Sequence, residues 1–150
     1  MSDDVMVNKN APVLAVGDID IVAPPDIVWA VITDFEHWPR WNPDVKAVEL
    51  RGAVREGTEF RWKSGPGTIT STIRRVERPR VVAWSGKTMG ISAVHVWRLQ
   101  PKDDHTVLST EESWDGLVVR MFRGRMQKTL EQAIHGVLQH LKAEAERRAR

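Results

Sequence analysis

From Val13 to Val22 the chain alternates. Val16, Asp18, Asp20 and Val22 fall on one side, and Gly17, Ile19 and Ile21 on the other. A period of two predicts a β-strand with one buried face. The pattern then changes. Pro24 and Pro25 suit a helix entry, Asp26 sits where the helix dipole favours an acid, and Ile27, Val28, Val31 and Ile32 form a helical stripe. This predicts a short helix over about 26–33. The stretch "HWPRWNPDV" that follows carries two tryptophans three residues apart, with prolines interleaved. It allows only a second brief helical turn, over about 36–41, closed by Asn42-Pro43. Trp38 and Trp41 are expected to plug one end of the sheet.

From Val45 to Trp114 the texture is strand and turn. "VKAVELRG", "GTEFRWKS", "TITSTIRRVE", "VVAWSGK", "ISAVHVWRLQP" and "TVLSTEESW" are separated by signals such as "GPG" at 65–67 and "KDDH" at 102–105. Six strands with short links predict antiparallel pairing. After Asp115-Gly116 the period becomes helical. Met121, Phe122, Met126, Leu130, Ile134, Val137, Leu138 and Leu141 recur at spacings of three and four. Gly124 and Gly136 interrupt this helix and are read as points of close approach. The charged end "KAEAERRAR" is expected to be solvated and frayed.

The resulting order is strand, two short helices, six strands and one long helix. This is an α+β domain whose curved sheet of six to seven antiparallel strands has one face to bury. Only the C-terminal helix is long enough to cover it. A curved sheet wrapped on one helix leaves a cavity between them. One domain is expected across residues 1–150, with its core over about 14–141 and flexible ends at 1–11 and 143–150.

Composition adds to this picture at one point. The chain has seven tryptophans and no tyrosine, and an aromatic cavity wall accommodates them. A net charge of +2 gives no footprint for nucleic acid, and the absence of cysteine excludes disulfides and thiolate chemistry. No apolar run is long enough to span a bilayer, so no stable membrane insertion is expected. The acidic, polar start "MSDDVMVNKN" is unlike a signal peptide, so a cytoplasmic protein is expected. His135 and His140 lie about 140° apart on a helix and make no metal face, so neither metal nor cofactor is expected.

The chain resembles the START-like, helix-grip (SRPBCC) superfamily, and within it the polyketide cyclase/dehydrase-like family. The resemblance runs from about Leu14 to about Leu141. It rests on "IDIVAPPDIVWAVITDFEHWPRWNPDV", "GTEFRWKSGPGTITSTIRRVERPRVVAWSG", "AVHVWRLQP" and "TVLSTEESWDG". It implies the helix-grip fold. For function it implies either a binder of small hydrophobic ligands or, if an enzyme, a cyclase, aromatase or dehydratase without metal.

Strand parity selects the candidate site. Phe60 and Trp62 share a face, as do Ile69, Ser71 and Ile73, then His95 and Trp97, then Thr110, Glu112 and Trp114. Trp84, with Met121, Phe122 and Met126 from the helix, completes the expected ligand-binding set. A hairpin centred on 102–105 pairs residues whose numbers add to about 207, which sets His95 opposite Glu112. Those two are the one candidate acid/base couple. Arg74, Arg75, Arg78 and Arg80 crowd one hairpin, and Arg120, Arg123, Arg125 and Lys128 flank Met121 and Phe122. Both groups are read as solvated surface.

Three functional readings follow. The first is a module that binds a small hydrophobic or aromatic molecule, lipid or polyketide-like. The second is a cyclase/dehydratase using His95 and Glu112. The third is a protein-interaction module with a vestigial cavity. Monomer and homodimer are both open.

Overall fold

The computed structural model describes residues 6–150. Strand β1 (Val13–Ile21) is followed by helix α1 (Pro25–Thr33) and a 3-10 helix over Phe35–Arg40. Strands β2 (Val45–Leu50), β3 (Glu59–Ser64), β4 (Gly67–Glu77), β5 (Val81–Thr88), β6 (Ile91–Lys102) and β7 (His105–Asp115) come next. Helices α2 (Leu117–Met121) and α3 (Arg123–Arg148) end the chain. The seven strands form one antiparallel sheet in the order β1-β7-β6-β5-β4-β3-β2. Every neighbour except the β1/β7 pair is sequential, as short turns require. This is the helix-grip architecture.

The alternation of β1 is obeyed. Val13, Ala15 and Ile21 are buried, whereas Val16 and Val22 face solvent. Gly17 lies on the buried face. A Cβ there would stand 2.9 Å from Leu138 Cδ1 and 3.0 Å from Ile134 Cγ2, so only glycine lets α3 rest this close to β1. The close approach is thus on the strand. Gly124 and Gly136, read as such points, have nothing within 4 Å of an added Cβ.

The proline-rich stretch folds as a short 3-10 plug. Pro39 lies inside the 3-10 helix, and Trp38 Nε1 donates to the Ile32 carbonyl at 2.9 Å. That carbonyl belongs to the last turn of α1, where the helix itself supplies no partner. Trp38 then packs on Phe35, Phe60, Trp62 and Trp84, with ring centroids 4.9–5.8 Å apart. The segment is irregular because its two large side chains must turn inward from a short link.

The long helix differs from expectation at both ends. It is split: Phe122 has φ −120° and ψ 41°, which ends α2 and restarts the axis as α3. Its far end, expected to fray, is helical to Arg148 and makes side-chain bonds. Ala145 is buried, Glu144 accepts from Arg147 and Arg148 at 2.7 Å each, and Glu146 accepts from the Val22 N–H at 2.8 Å. Lys142 Nζ reaches the Asp20 carbonyl at 2.9 Å. These bonds tie the end of α3 to the end of β1. Near the N-terminus, Val7 and Asn8 lie against the sheet. Val7 is only 3% exposed and packs on Ala83 and Val96, apolar residues on the convex face of the sheet that need a cover. Asn8 N–H donates to Ser113 Oγ at 3.2 Å and holds that cover in place. Residues 1–5 lie outside the described residues.

Candidate functional site

A cavity of about 360 Å³ lies between the concave face of the sheet and α3. Trp62 on β3, Ile69 and Ser71 on β4, Trp84 on β5, Ala93 and His95 on β6, and Glu112 and Trp114 on β7 form its sheet wall. Met126, Thr129, Leu130 and Ala133 form its helix wall. The β3–β4 turn (Gly65, Pro66) and the β5–β6 turn (Met89) make its rim. A smaller chamber of about 60 Å³ adjoins it, walled by Trp38, Trp41, Trp97, Val137 and Leu141 among others. Trp62, Trp84 and His95 line both chambers and so stand between them.

Eight of the fourteen residues expected at the site line the main cavity: Trp62, Ile69, Ser71, Trp84, His95, Glu112, Trp114 and Met126. Trp97 lines the smaller chamber instead. Phe60, Ile73 and Thr110 face inward as parity requires but lie in the core, outside the cavity wall. Parity fixes a face, not a depth: Phe60 is covered by Phe35, Trp38 and Trp84. Met121 and Phe122 do not reach the cavity. They are 67% and 49% exposed, because the break at Phe122 takes them off the buried stripe of α3. On α2 the buried residue is Val119.

Several wall residues escaped the sequence reading. Met89, Pro66 and Lys87 come from turns and strand ends, whose reach depends on how far the sheet curls. Thr129 and Ala133 carried a usable signal, since Met126, Thr129 and Ala133 follow one another at spacings of three and four on one helix face. Gly86 is a different case. A Cβ there would meet Ser71 Oγ at 2.7 Å, so glycine makes room for that hydroxyl, which accepts from Trp62 Nε1 at 3.1 Å.

The polar centre is a chain of four side chains. His95 and Glu112 are directly opposed across β6 and β7, in the register expected from the 102–105 turn. His95 Nδ1 lies 3.2 Å from Glu112 Oε1, and the two side chains are 11% and 17% exposed. Trp114 Nε1 donates to Glu112 Oε2 at 2.8 Å. His95 Nε2 lies 2.7 Å from Thr110 Oγ1, which donates to the Val96 carbonyl at 3.0 Å. Burial pushes the Glu112 carboxyl up to about 7, with the Trp114 hydrogen bond opposing part of the rise. Burial also pushes the His95 imidazole down to about 3. Burial thus favours the neutral form of both groups.

The basic clusters are surface features. Arg74 donates to Ser85 Oγ at 2.8 Å and Arg75 pairs with Glu77. Arg120 pairs with Asp115 at 3.1 Å, and Arg123 donates to the Pro12 carbonyl at 2.9 Å. Among the described residues, no helix is long and apolar enough to cross a membrane.

A family profile described as polyketide cyclase / dehydrase and lipid transport matches residues 13–146. No curated protein matches the chain significantly. Among solved structures, the chain is similar to the Zhui aromatase/cyclase from Streptomyces sp. R1128 (20% identity, 91% of this chain and 95% of that one, TM-score 0.75). It is similar to a START superfamily protein from Mycobacterium smegmatis (16% identity, 91% and 96%, TM-score 0.69). It is also similar to TTHA0849 from Thermus thermophilus (15% identity, 91% and 99%, TM-score 0.78). At these identities the structural likeness is one of fold.

Proposed function

Because this chain belongs to the polyketide cyclase/dehydrase and lipid transport family, we propose that it binds a small hydrophobic or aromatic molecule between sheet and α3. The observation that carries this reading is the cavity itself. At about 360 Å³ it has the size of a small-molecule site, and its wall combines Trp62, Trp84 and Trp114 with only a few polar groups. Mostly apolar walls with a few orienting polar atoms are the usual composition of such sites. Tryptophan fluorescence tests the reading, because three indoles line the wall. Titration with a bicyclic aromatic should quench emission saturably, and native mass spectrometry of the purified protein should show a co-purified small molecule. A linear, non-saturating response together with a bare mass would reject it.

A second reading is a cyclase/dehydratase, favoured by the 3.2 Å contact between His95 and Glu112 inside the cavity wall. There the pair would take a proton from a carbon next to a ketone and return one to a departing hydroxyl, which leaves as water. Glu112 is the member that meets the substrate, because both nitrogens of His95 are occupied by protein partners. Turnover of a β-hydroxyketone by the parent protein, lost in Glu112→Gln with binding retained, separates this reading from binding alone.

A further inference from the structure

The hydrogen bonds around His95 decide what the cavity offers a ligand. The Thr110 hydroxyl has one proton, and the Val96 carbonyl 3.0 Å away can only accept it. His95 Nε2, 2.7 Å from the same oxygen, must therefore carry a hydrogen and donate it. A neutral imidazole protonated at Nε2 presents a bare lone pair at Nδ1, and this faces Glu112 Oε1 at 3.2 Å. A lone pair against an ionised oxygen repels, so the carboxyl proton belongs on Oε1, pointing at His95. Oε2 accepts from Trp114 Nε1 at 2.8 Å and keeps a second lone pair. His95 then has nothing left for a ligand, and Glu112 has acceptor capacity only.

We propose that the cavity selects a neutral molecule with an aromatic body and a hydroxyl group, the hydroxyl donating to Glu112. This rests on the ligand-binding reading above and names its ligand class. Glu112 sits among Trp84, Trp114 and Leu130, where a bare aromatic leaves its spare acceptor unanswered and a carboxylate places lone pairs against lone pairs. Ser71 adds the complementary point. Its oxygen accepts from Trp62 Nε1, which leaves its proton to donate to a second ligand oxygen. Among the described residues, Lys87 is the one cation in the wall, and it is exposed at the rim, where water screens any attraction for anions.

Three matched probes test this by calorimetry at pH 6: 2-naphthol, naphthalene and 2-naphthoate. We expect 2-naphthol to bind at least tenfold tighter than naphthalene, and 2-naphthoate to bind more weakly than either. Glu112→Leu should bring 2-naphthol down to the level of naphthalene and leave naphthalene within about twofold. Glu112→Gln should keep the preference, because its amide N–H can replace the acid proton at His95 Nδ1 while its carbonyl still accepts. Equal binding of 2-naphthol and naphthalene, or binding of 2-naphthoate as tight as that of 2-naphthol, would overturn this inference and leave the ligand-binding reading standing. No binding of any probe would overturn both. The three-probe comparison on the parent protein needs no variant to fold.

Discussion

Burial acts on Glu112 and His95 in opposite directions, and each direction has a signature in stability against pH. For Glu112 the carboxyl moves from 4.5 to about 7. The unfolded chain releases that proton near pH 4.5 while the folded protein keeps it, so this group costs stability progressively as pH rises from about 4.5 to 7. For His95 the imidazole moves from 6.5 to about 3. The unfolded chain takes up a proton below pH 6.5 and the folded protein does not, so this group costs stability as pH falls from 6.5 to 3. Over the shared window the two slopes cancel, and the parent protein should be flat there. Glu112→Gln removes one of them. Measured by urea unfolding, the variant should gain on the parent by about 3 kcal/mol between pH 4 and pH 8. A difference that stays constant across that range would mean that Glu112 is not desolvated in the native state.

At the level of elements, the strands are periodic enough to be read directly and the helix is not. Because side chains alternate strictly along a strand, one inward residue fixes the rest. That is why Trp62, Ser71, His95 and Glu112 all reach the wall as their strand neighbours imply, and why the His95–Glu112 opposition followed from turn position alone. Depth was not legible. Ile73 shares a face with Ser71, yet it is fully buried beyond the cavity wall, a matter of how aromatic rings stack from neighbouring elements. The start of the last helix was also not legible. Met121 and Phe122 continue an apolar period across a point where the backbone breaks, and periodicity carries no mark of a single residue leaving helical angles. Beyond the break, spacing is reliable again. Leu130, Ile134, Leu138 and Leu141 are buried against the sheet. Leu130→Ala should therefore destabilise the protein by about 2–5 kcal/mol in denaturant unfolding. A loss near zero would show that α3 closes over the missing volume.

On the scale of the whole molecule, the cavity follows from geometry that no single element contains. Seven strands curl around one helix, α1 and the 3-10 turn plug one end with Trp38, and the far end is left to the turns at Gly65-Pro66 and Met89. The order of elements foretold such a space; its walls depended on the curl. The Gly17 seam has a mechanical consequence. Ile134 and Leu138 rest on β1 at that glycine, and the last turn of α3 is bound to Asp20 and Val22. Met126, Thr129 and Ala133, by contrast, stand over empty volume. The first half of α3 is held to β1 by side-chain bonds instead: Arg123 donates to the Pro12 carbonyl at 2.9 Å, and Gln127 accepts from the Leu14 N–H at 3.2 Å and donates to the Leu14 carbonyl at 2.9 Å. Close packing thus holds residues 134–141, whereas a few polar side-chain bonds hold the turns over the cavity, and the two segments should open at different rates. Amide hydrogen exchange should show the asymmetry, with residues 125–130 opening faster than residues 134–141 in the empty protein. A bound aromatic should pack beneath Met126 and slow the first group toward the second, and uniform exchange along the helix in the empty protein would show that both segments are held alike.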